Sequence, residues 1–417
     1  MTFAKAYLGK HKVEKRIPAP HPQLQMGIVI PCYREHALKA TIESLYSAYQ
    51  LYKKPLLVVV VINSSERDGK EVKTFNRHTL AQLIETAKVY SPDFRVFPVL
   101  EEELRHKHAG AGFARKIGMD LLVAAFDEIQ QPAGIIVSMD ADTLVAEDFL
   151  VKLNDAYYNN PELGVATHGF AHPLDLPEYT PAHRKAIVAY ELHMRYYKHA
   201  LASAGFPFAF YTVGSAFSCR AQVYAAQGGM NRRKAGEDFY FLHKLFPVTQ
   251  SAELPEVTVF PSARLSDRVP FGTGPQLAQL VESDEGMLTY SLEAFSQIGL
   301  FLDGINRYYK GEEMQKAYEL IPADLHPFFL AHEFSLALEQ MHKHSASFIA
   351  FRKRFFRWFD AFRCLKLLNY LHNEGLYKKQ PIGMEASKFI KKEWGEQFAV
   401  DELEEQLIFY RQKDGVD

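Results

Sequence analysis

Gly134-Ile135-Ile136-Val137-Ser138-Met139-Asp140-Ala141-Asp142-Thr143 is the stretch that decides the fold of this chain. Its first six residues form a mostly apolar run of buried-strand length, and two carboxylates one residue apart follow directly. Open α/β sheets bind their ligands at the carboxyl edge, so Asp140 and Asp142 are expected at that edge. Their hard oxygen atoms suit Mg²⁺ or Mn²⁺, which commonly take further ligands from a substrate's phosphates. The stretch therefore predicts a metal-diphosphate site, with an ordinary solvated turn as the alternative.

Apolar runs alternate with helix-length segments over the first two thirds of the chain, which predicts a mostly parallel sheet flanked by helices. The predicted strands are 27–30, 56–62, 94–100, 134–139, 164–167, 208–217 and 257–260. Segment 37–52 is the predicted first crossover helix, because Leu38, Ile42 and Leu45 share one face. From Gln276 onward the pattern is helical. We therefore expect an amino-terminal extension (1–25), an α/β domain (26–275) and an α-helical carboxyl-terminal domain (276–417).

Composition and charge narrow the function. The 417 residues are 47% hydrophobic, and 48 basic against 50 acidic residues leave a net charge of -2, so no global field recruits nucleic acid. Three widely spaced cysteines do not describe a disulfide framework and are typical of a reducing compartment. The first fifteen residues lack an apolar signal core, and glycine and proline interrupt the uncharged stretch 200–219. We therefore expect a cytoplasmic protein without a membrane helix.

A second pair of acids, Glu237 and Asp238, follows Gly236 and precedes an apolar, helix-like pattern. Carboxylates in the first turn of a helix are stabilised as anions by the helix dipole and by free backbone amides. An ionised carboxylate in such a place can act as a general base. Ordinary helix capping explains the same residues, and both interpretations stay open at this point.

Five motifs occur in an order that resembles family 2 glycosyltransferases of the GT-A fold, over roughly residues 26 to 272. They are Val29-Ile30-Pro31-Cys32-Tyr33-Arg34-Glu35, the segment from His108 to Gly118, Asp140 with Asp142, Val213 to Arg220 followed by Gly228-Gly229-Met230, and Glu237-Asp238. The resemblance implies a GT-A nucleotide-diphospho-sugar transferase fold with Mn²⁺ or Mg²⁺ as cofactor. It further implies sugar transfer, with inversion, from a nucleotide-sugar donor to an unknown hydroxyl acceptor.

The resemblance also assigns roles to individual residues. Asp238 is the candidate base, and Glu237 would orient the acceptor or the active-site loop. The metal-ligand candidates are Asp142, Asp140 and, from the segment 261–275, Asp267. The donor-binding candidates are Pro31, Tyr33, Glu35, Asn63, Gly112, Arg115, Asp140, Arg264 and Arg268. Since Asn63 stands where the family usually has an aspartate that contacts the base, the base is not fixed. The resemblance favours UDP, the commoner nucleotide in the family, over GDP.

Three other features of the sequence each allow two interpretations. Arg264 and Arg268 could close over a diphosphate or lie in surface ion pairs of an ordinary loop. His168 and His172 have the spacing of helical zinc ligands, but Gly169 and Pro173 favour a loop near the acceptor instead. From Phe351 to Leu371, basic residues alternate with aromatic ones, as in a helix that makes peripheral membrane contact; packing against the protein is the favoured alternative.

Two rival functions remain open from the sequence. A nucleotidyltransferase could share the fold and the metal-binding acids, but it would release pyrophosphate and would not need Asp238 as a base. A protein that binds nucleotide sugars without transferring them is the second rival, and Asn63 is its best support. The missing Q-x-x-R-W motif favours a single transfer over processive synthesis.

Overall fold

The computed structural model describes residues 2–11, 13–234, 236–265, 272–283, 286–309 and 319–416. The chain divides into two compact units. Unit 1 contains Met1–Leu176, Thr212–Ala278 and Arg411–Asp417, and unit 2 contains Pro177–Tyr211 and Gln279–Tyr410. Segment 177–211, which precedes the helical region in sequence, thus belongs with the later helices.

The helices lie throughout both units. In chain order they are α1 Lys5–His11, α2 Leu38–Tyr52, α3 Lys70–Ala87, α4 Ala111–Glu128, α5 Phe149–Asn159, α6 Pro181–Ser203, α7 Ala221–Ala226, α8 Glu237–Leu245, α9 Thr273–Glu282, α10 Leu292–Asp303, α11 Ile305–Tyr309, α12 His326–Ala331, α13 Phe334–Lys343, α14 Phe348–Trp358, α15 Ala361–Asn373, α16 Ile382–Trp394 and α17 Leu403–Asp414. A short 3-10 helix, Ala323–Leu325, precedes α12.

The core of unit 1 is a mixed sheet. Its strands are β1 Met26–Cys32, β2 Leu56–Ser65, β3 Phe94–Leu104, β4 Ile135–Ser138, β5 Leu144–Val145, β6 Leu163–Phe170, β7 Phe217–Arg220 and β8 Gln250–Phe260. They lie in the order β3-β2-β1-β4-β7-β6-β8-β5, and only β7 and β5 run against their described neighbours. β1 and β2 are buried along their whole length because both faces are covered. The predicted α/β architecture with a mostly parallel, helix-flanked sheet is confirmed.

The strand register brings several loops to one edge of this sheet. Val29 pairs with Ser138, the last residue of β4, and β1 continues to Cys32, which pairs with Ile62 near the end of β2. Because β7 is antiparallel to β4, it begins at the same edge, where Phe217 pairs with Ser138. Consequently the residues after β1, β2, β4 and β8 and the residues before β7 form the carboxyl edge, where such sheets bind ligands.

The predicted strand 208–217 is wrong in its placement. Only Phe217 of that segment lies in a strand, which is β7 and continues to Arg220. The preceding aromatic run is a loop of unit 2, in which Phe206 and Phe208 pack on Phe356 with ring centroids 6.0 and 6.3 Å away. The run is apolar because these rings pack against a helix. A continuous apolar run of this length has the same sequence pattern as a buried strand.

Unit 2 is mainly helical, with one short two-stranded sheet formed by β9 Leu288–Thr289 and β10 Gln380–Pro381. The aromatic-basic segment from Phe351 onward is two helices, α14 and α15. Phe351, Phe355 and Phe359 are buried, so most of its aromatic rings face the interior, as the packing alternative predicts. No helix in the described part of the chain has the length and apolar character needed to cross a membrane.

Candidate active site

The first acid pair lies in the turn after β4. The Asp140 and Asp142 side chains are 39% and 20% exposed, so both remain open to a ligand. Arg115 Nη2 lies 3.0 Å from Asp140 Oδ1, and Arg264 Nη2 lies 2.8 Å from Asp142 Oδ2. Burial raises the pKa of Asp142 to about 7, although the charge of Arg264 opposes this shift. The pair is thus held at the sheet edge by two arginines from separate elements.

Arg115, in the second turn of α4, links the first acid pair to the second. Its side chain is 3% exposed, and its Nε donates to Glu237 Oε1 at 3.3 Å. Its Nη1 donates to Ser138 Oγ at 2.8 Å and to the Gly214 carbonyl at 3.0 Å. Burial alone would lower the pKa of Arg115, but the charges of Asp140, Glu237 and Asp238 outweigh burial and raise it. In the described contacts, the N–H donors of the Arg115 guanidinium therefore bind other groups of the protein.

The second acid pair begins α8. Gly236 precedes it with a φ of 67°, a left-handed conformation that glycine adopts at little cost. The Phe239 amide donates to Asp238 Oδ1 at 2.7 Å. Burial raises the pKa of half-buried Asp238 to about 7, and the charge of Glu237 raises it further, while Arg115 opposes. A carboxyl group with this pKa can exchange a proton near neutral pH.

Gly112 allows α4 and the segment before α8 to meet. A Cβ at Gly112 would lie 2.7 Å from Glu237 Cβ and would also press on the Arg233 carbonyl oxygen. We expect Gly112→Ala to lower the free energy of unfolding by about 1–3 kcal/mol, because an added methyl group overpacks a site that is already filled. Urea unfolding measures this change. Gly9→Ala, at a helical glycine with nothing within 4 Å, is the control and should raise the stability instead; equal effects would contradict the packing argument.

Arg264 joins the end of β1 to the segment after β8. It donates through both Nη atoms to the Glu35 carboxylate, with Nη1 2.6 Å from Oε1, while Nη2 also faces Asp142. Glu35 is buried and accepts from the Ala37 amide at 2.9 Å. Arg264 and Glu35 are therefore part of the site. Asp267 and Arg268, the other candidates of this segment, lie outside the described residues.

The remaining donor candidates lie at the ends of β1 and β2. Pro31 is within β1, and the Tyr33 hydroxyl lies 3.4 Å from Asp68 Oδ1. Asn63 is buried in β2, and its carbonyl accepts from Asn76 Nδ2 at 3.0 Å. The candidates at the ends of β1 and β2 thus lie at the same sheet edge as the acids.

Sequence reasoning missed three participants. Ser138 is a buried hydroxyl that donates to the Gly214 carbonyl at 2.7 Å, and its signal was a single polar residue within an apolar run. Asp68 accepts from both Tyr33 and the Ser65 amide, the latter at 2.7 Å, three residues beyond the end of β2. The Gly214 carbonyl had no signal in the sequence, because every residue carries the same backbone group.

The donor set suits a hard divalent cation that needs few protein ligands. Asp140 and Asp142 supply carboxylate oxygens, the ligand type that Mg²⁺ and Mn²⁺ prefer. Within the described ranges, no group of three or more His, Cys, Asp or Glu side chains is arranged to hold a metal. His168 lies in β6 with Nε2 2.8 Å from Ser218 Oγ, and burial lowers its pKa to about 3. The two aspartates are therefore the candidate metal ligands.

No protein-family model matches this chain, and no curated protein sequence is significantly similar to it. Among solved structures, the similar chains include the following two. S. aureus TarS 1-349 in complex with UDP-GlcNAc is 12% identical, covering 80% of this chain and 91% of that one, with a TM-score of 0.40. The mannosyltransferase PcManGT from Pyrobaculum calidifontis, in complex with GDP-Man and Mn²⁺, is 14% identical, covering 99% and 96%, with a TM-score of 0.35. At these values the similarity establishes no activity for this chain.

Proposed function

We propose that this protein transfers a sugar from a nucleotide-diphosphate donor to a hydroxyl acceptor, with inversion at the anomeric carbon. One observation carries the proposal: Arg115 joins Asp140, in the acid pair after β4, to Glu237, in the acid pair that begins α8. Such a transfer needs an electropositive clamp on a departing diphosphate and a base beside the acceptor hydroxyl. The two acid pairs and their arginines supply groups for both tasks.

The donor side of the proposal centres on Asp140, Asp142 and Arg264. A divalent cation, Mn²⁺ or Mg²⁺, when held by the two aspartates, neutralises diphosphate charge as a Lewis acid. The guanidinium of Arg264 suits phosphate oxygens and already lies at this edge, bound to Glu35. Tyr33 and Asn63 lie at the ends of β1 and β2, and we assign them to the nucleoside, with UDP favoured over GDP.

The acceptor side centres on Asp238. The acceptor oxygen attacks the anomeric carbon as the bond from that carbon to the phosphate oxygen breaks, and the diphosphate leaves with the electron pair. Asp238 takes the acceptor's proton; its Oδ1 is engaged by the Phe239 amide, and we assign the proton to Oδ2. Since one displacement occurs, the configuration inverts. Glu237, bound to Arg115, positions this helix terminus.

We also propose a cellular location for the protein. Cys32, Cys219 and Cys364 are buried free thiols, which supports a reducing compartment such as the cytoplasm. Arg352, Lys353, Arg354 and Arg357 are exposed on α14, so a peripheral contact with an anionic membrane would be electrostatic and not through buried rings.

The experiment that tests the function incubates the full chain with UDP-, GDP- and TDP-sugars and Mn²⁺. Calorimetry measures binding, and product analysis measures release of the nucleoside diphosphate. We expect one donor to bind and to release its nucleoside diphosphate slowly to water in the absence of acceptor. Release of pyrophosphate from a nucleoside triphosphate would instead identify a nucleotidyltransferase. Binding without turnover, with or without added hydroxyl compounds, would identify a binding protein.

A further inference from the structure

A basic surface borders the second acid pair. Two segments that are far apart in sequence meet there, and we name them the basic rim: Arg105, His106, Lys107, His108, Arg232, Arg233 and Lys234. His108 Nδ1 lies 3.4 Å from the Arg232 carbonyl oxygen, and Lys234 Nζ lies 3.4 Å from His106 Nε2. Gly110 makes the meeting possible, because a Cβ there would lie 2.8 Å from the Lys234 carbonyl oxygen.

The part of the chain that the structure describes supplies no ion-pair partner for the cations of the basic rim. No carboxylate of the described residues forms an ion pair with any of its five arginines and lysines. The nearby acids Glu102 and Glu103 are engaged by Arg77 and Lys73, at 2.8 and 2.6 Å. Glu66 is the acid in contact with the rim, where it accepts from the His106 amide at 3.2 Å. Since the whole chain has a net charge of -2, the positive charge of the basic rim is a local excess and not a property of the whole surface.

Aromatic rings hold two of the guanidinium groups. Arg233 lies 3.7 Å from the ring centroid of Tyr240, and Arg232 lies 5.1 Å from that of Phe113. A guanidinium stacked on a ring keeps its N–H edges directed outward. Each of these guanidinium groups can offer two parallel N–H donors, the geometry that suits phosphate oxygens.

The position of the basic rim assigns it to the acceptor side. Contacts run from Asp140 through Arg115 to Glu237, and Gly112 then lies against both Glu237 and the Arg233 backbone. The basic rim therefore borders the acid pair that contains Asp238. Arg115 lies between this pair and the acids assigned to the donor diphosphate. Resting on the proposed function, we infer that the basic rim binds a phosphate group of the acceptor, so that the acceptor is a phosphate-bearing hydroxyl compound.

Calorimetry with sodium tripolyphosphate tests this inference. The full chain is titrated with UDP, GDP and excess Mn²⁺ present, so that the donor side is occupied, and the heat of Mn²⁺ binding to tripolyphosphate is subtracted in a blank titration without protein. We expect saturable binding by the unmodified chain and about tenfold to hundredfold weaker binding by R232Q/R233Q, since two charge-assisted contacts are lost. R105Q/K107Q gives the same test from the other segment. The matched control K353Q/R357Q removes two exposed charges from α14 and should change the affinity by less than about twofold.

The outcomes separate the possibilities. Absent saturable binding, or equal weakening in K353Q/R357Q, overturns the inference. Glucose 6-phosphate compared with glucose, and phosphatidylglycerol compared with phosphatidylcholine vesicles, then identify the phosphate source: rim-dependent binding in either arm supports the inference. Vesicle binding that only K353Q/R357Q removes is the α14 contact and excludes the lipid source; if glucose 6-phosphate binding is also independent of the rim, the inference is overturned. Slow donor hydrolysis should persist in R232Q/R233Q. If the unmodified chain binds no nucleotide sugar, the proposed function itself fails, and the acceptor assignment fails with it.

Discussion

Asp238→Asn is expected to lower the rate of sugar transfer about 100-fold to 10,000-fold, the usual contribution of a positioned general base. The amide keeps the shape of the carboxylate and still accepts from the Phe239 amide, which is 2.7 Å from Oδ1 in the parent. It cannot take a proton from the acceptor. Donor binding, measured by calorimetry, should therefore stay within about twofold while turnover is lost.

The pH dependence of transfer gives an independent check of the same residue. Burial and the neighbouring Glu237 raise the pKa of Asp238 to about 7. The base must be ionised, so the rate should rise as pH increases toward 7 and level off above it, changing about tenfold per pH unit on the acidic side. The raised pKa also means that the folded state holds this proton more tightly than the unfolded state. Its contribution to stability is therefore lost as pH rises through about 7, and Asp238→Asn should stabilise the chain more at pH 8 than at pH 5.

Two comparisons control this prediction. Asp155→Asn, at an exposed aspartate of α5, should change neither the rate nor its pH profile. Glu237→Gln should disturb the contact with Arg115 and affect donor binding as well as rate. If Asp238→Asn keeps a rate within about threefold of the parent, or if the parent profile is flat between pH 5 and pH 8, Asp238 is not the base.

Arg115→Gln is expected to lower the free energy of unfolding by about 3–5 kcal/mol, as does removal of one partner from a buried ion pair. The loss leaves Asp140 and Glu237 without their shared cation and leaves Ser138 Oγ and the Gly214 carbonyl without that donor. Urea unfolding measures the effect. Sugar transfer should fall in parallel, because both acid pairs lose the group that fixes them.

Other arginine variants control for the loss of charge alone. Arg77→Gln removes an equally direct contact, with Glu102 at 2.8 Å, but this pair is exposed, so stability should not change measurably. Arg115→Lys keeps the charge without the guanidinium fork and should recover part of the stability but little of the activity. If Arg115→Gln is as harmless as Arg77→Gln, the link between the acid pairs is not structural.

The sequence predicted most of the sheet because its buried strands are continuous apolar runs. Residues 56–62 lie within β2, and residues 27–30 lie within β1. The errors have local causes. β5 has two residues, too few for a periodic pattern, and the aromatic run before β7 is apolar because Phe206 and Phe208 pack on a helix. Tertiary packing determines the local structure at those positions, and the periodicity of the sequence carries no information about that packing.

The candidate site was less accessible to sequence reasoning. Acids at strand and helix ends could be recognised from their neighbours, as with Asp142 and Asp238. The arginines that hold them could not be matched to partners, because Arg264 and Glu35 are 229 residues apart and Arg115 and Glu237 are 122 apart. Such pairings depend on the strand order, which brings distant loops to one edge. The basic rim was missed for the same reason, since its two segments lie more than 120 residues apart.

Calorimetric titration of the nucleotide sugars in the presence and absence of Mn²⁺, on the parent chain and on Asp142→Asn, tests the central claim most directly. The account predicts that one donor binds tightly only with Mn²⁺, and that Asp142→Asn weakens this binding at least about tenfold while Asp238→Asn does not. If no nucleotide sugar binds, or if Asp142→Asn binds as well as the parent, the acids after β4 do not form a diphosphate site.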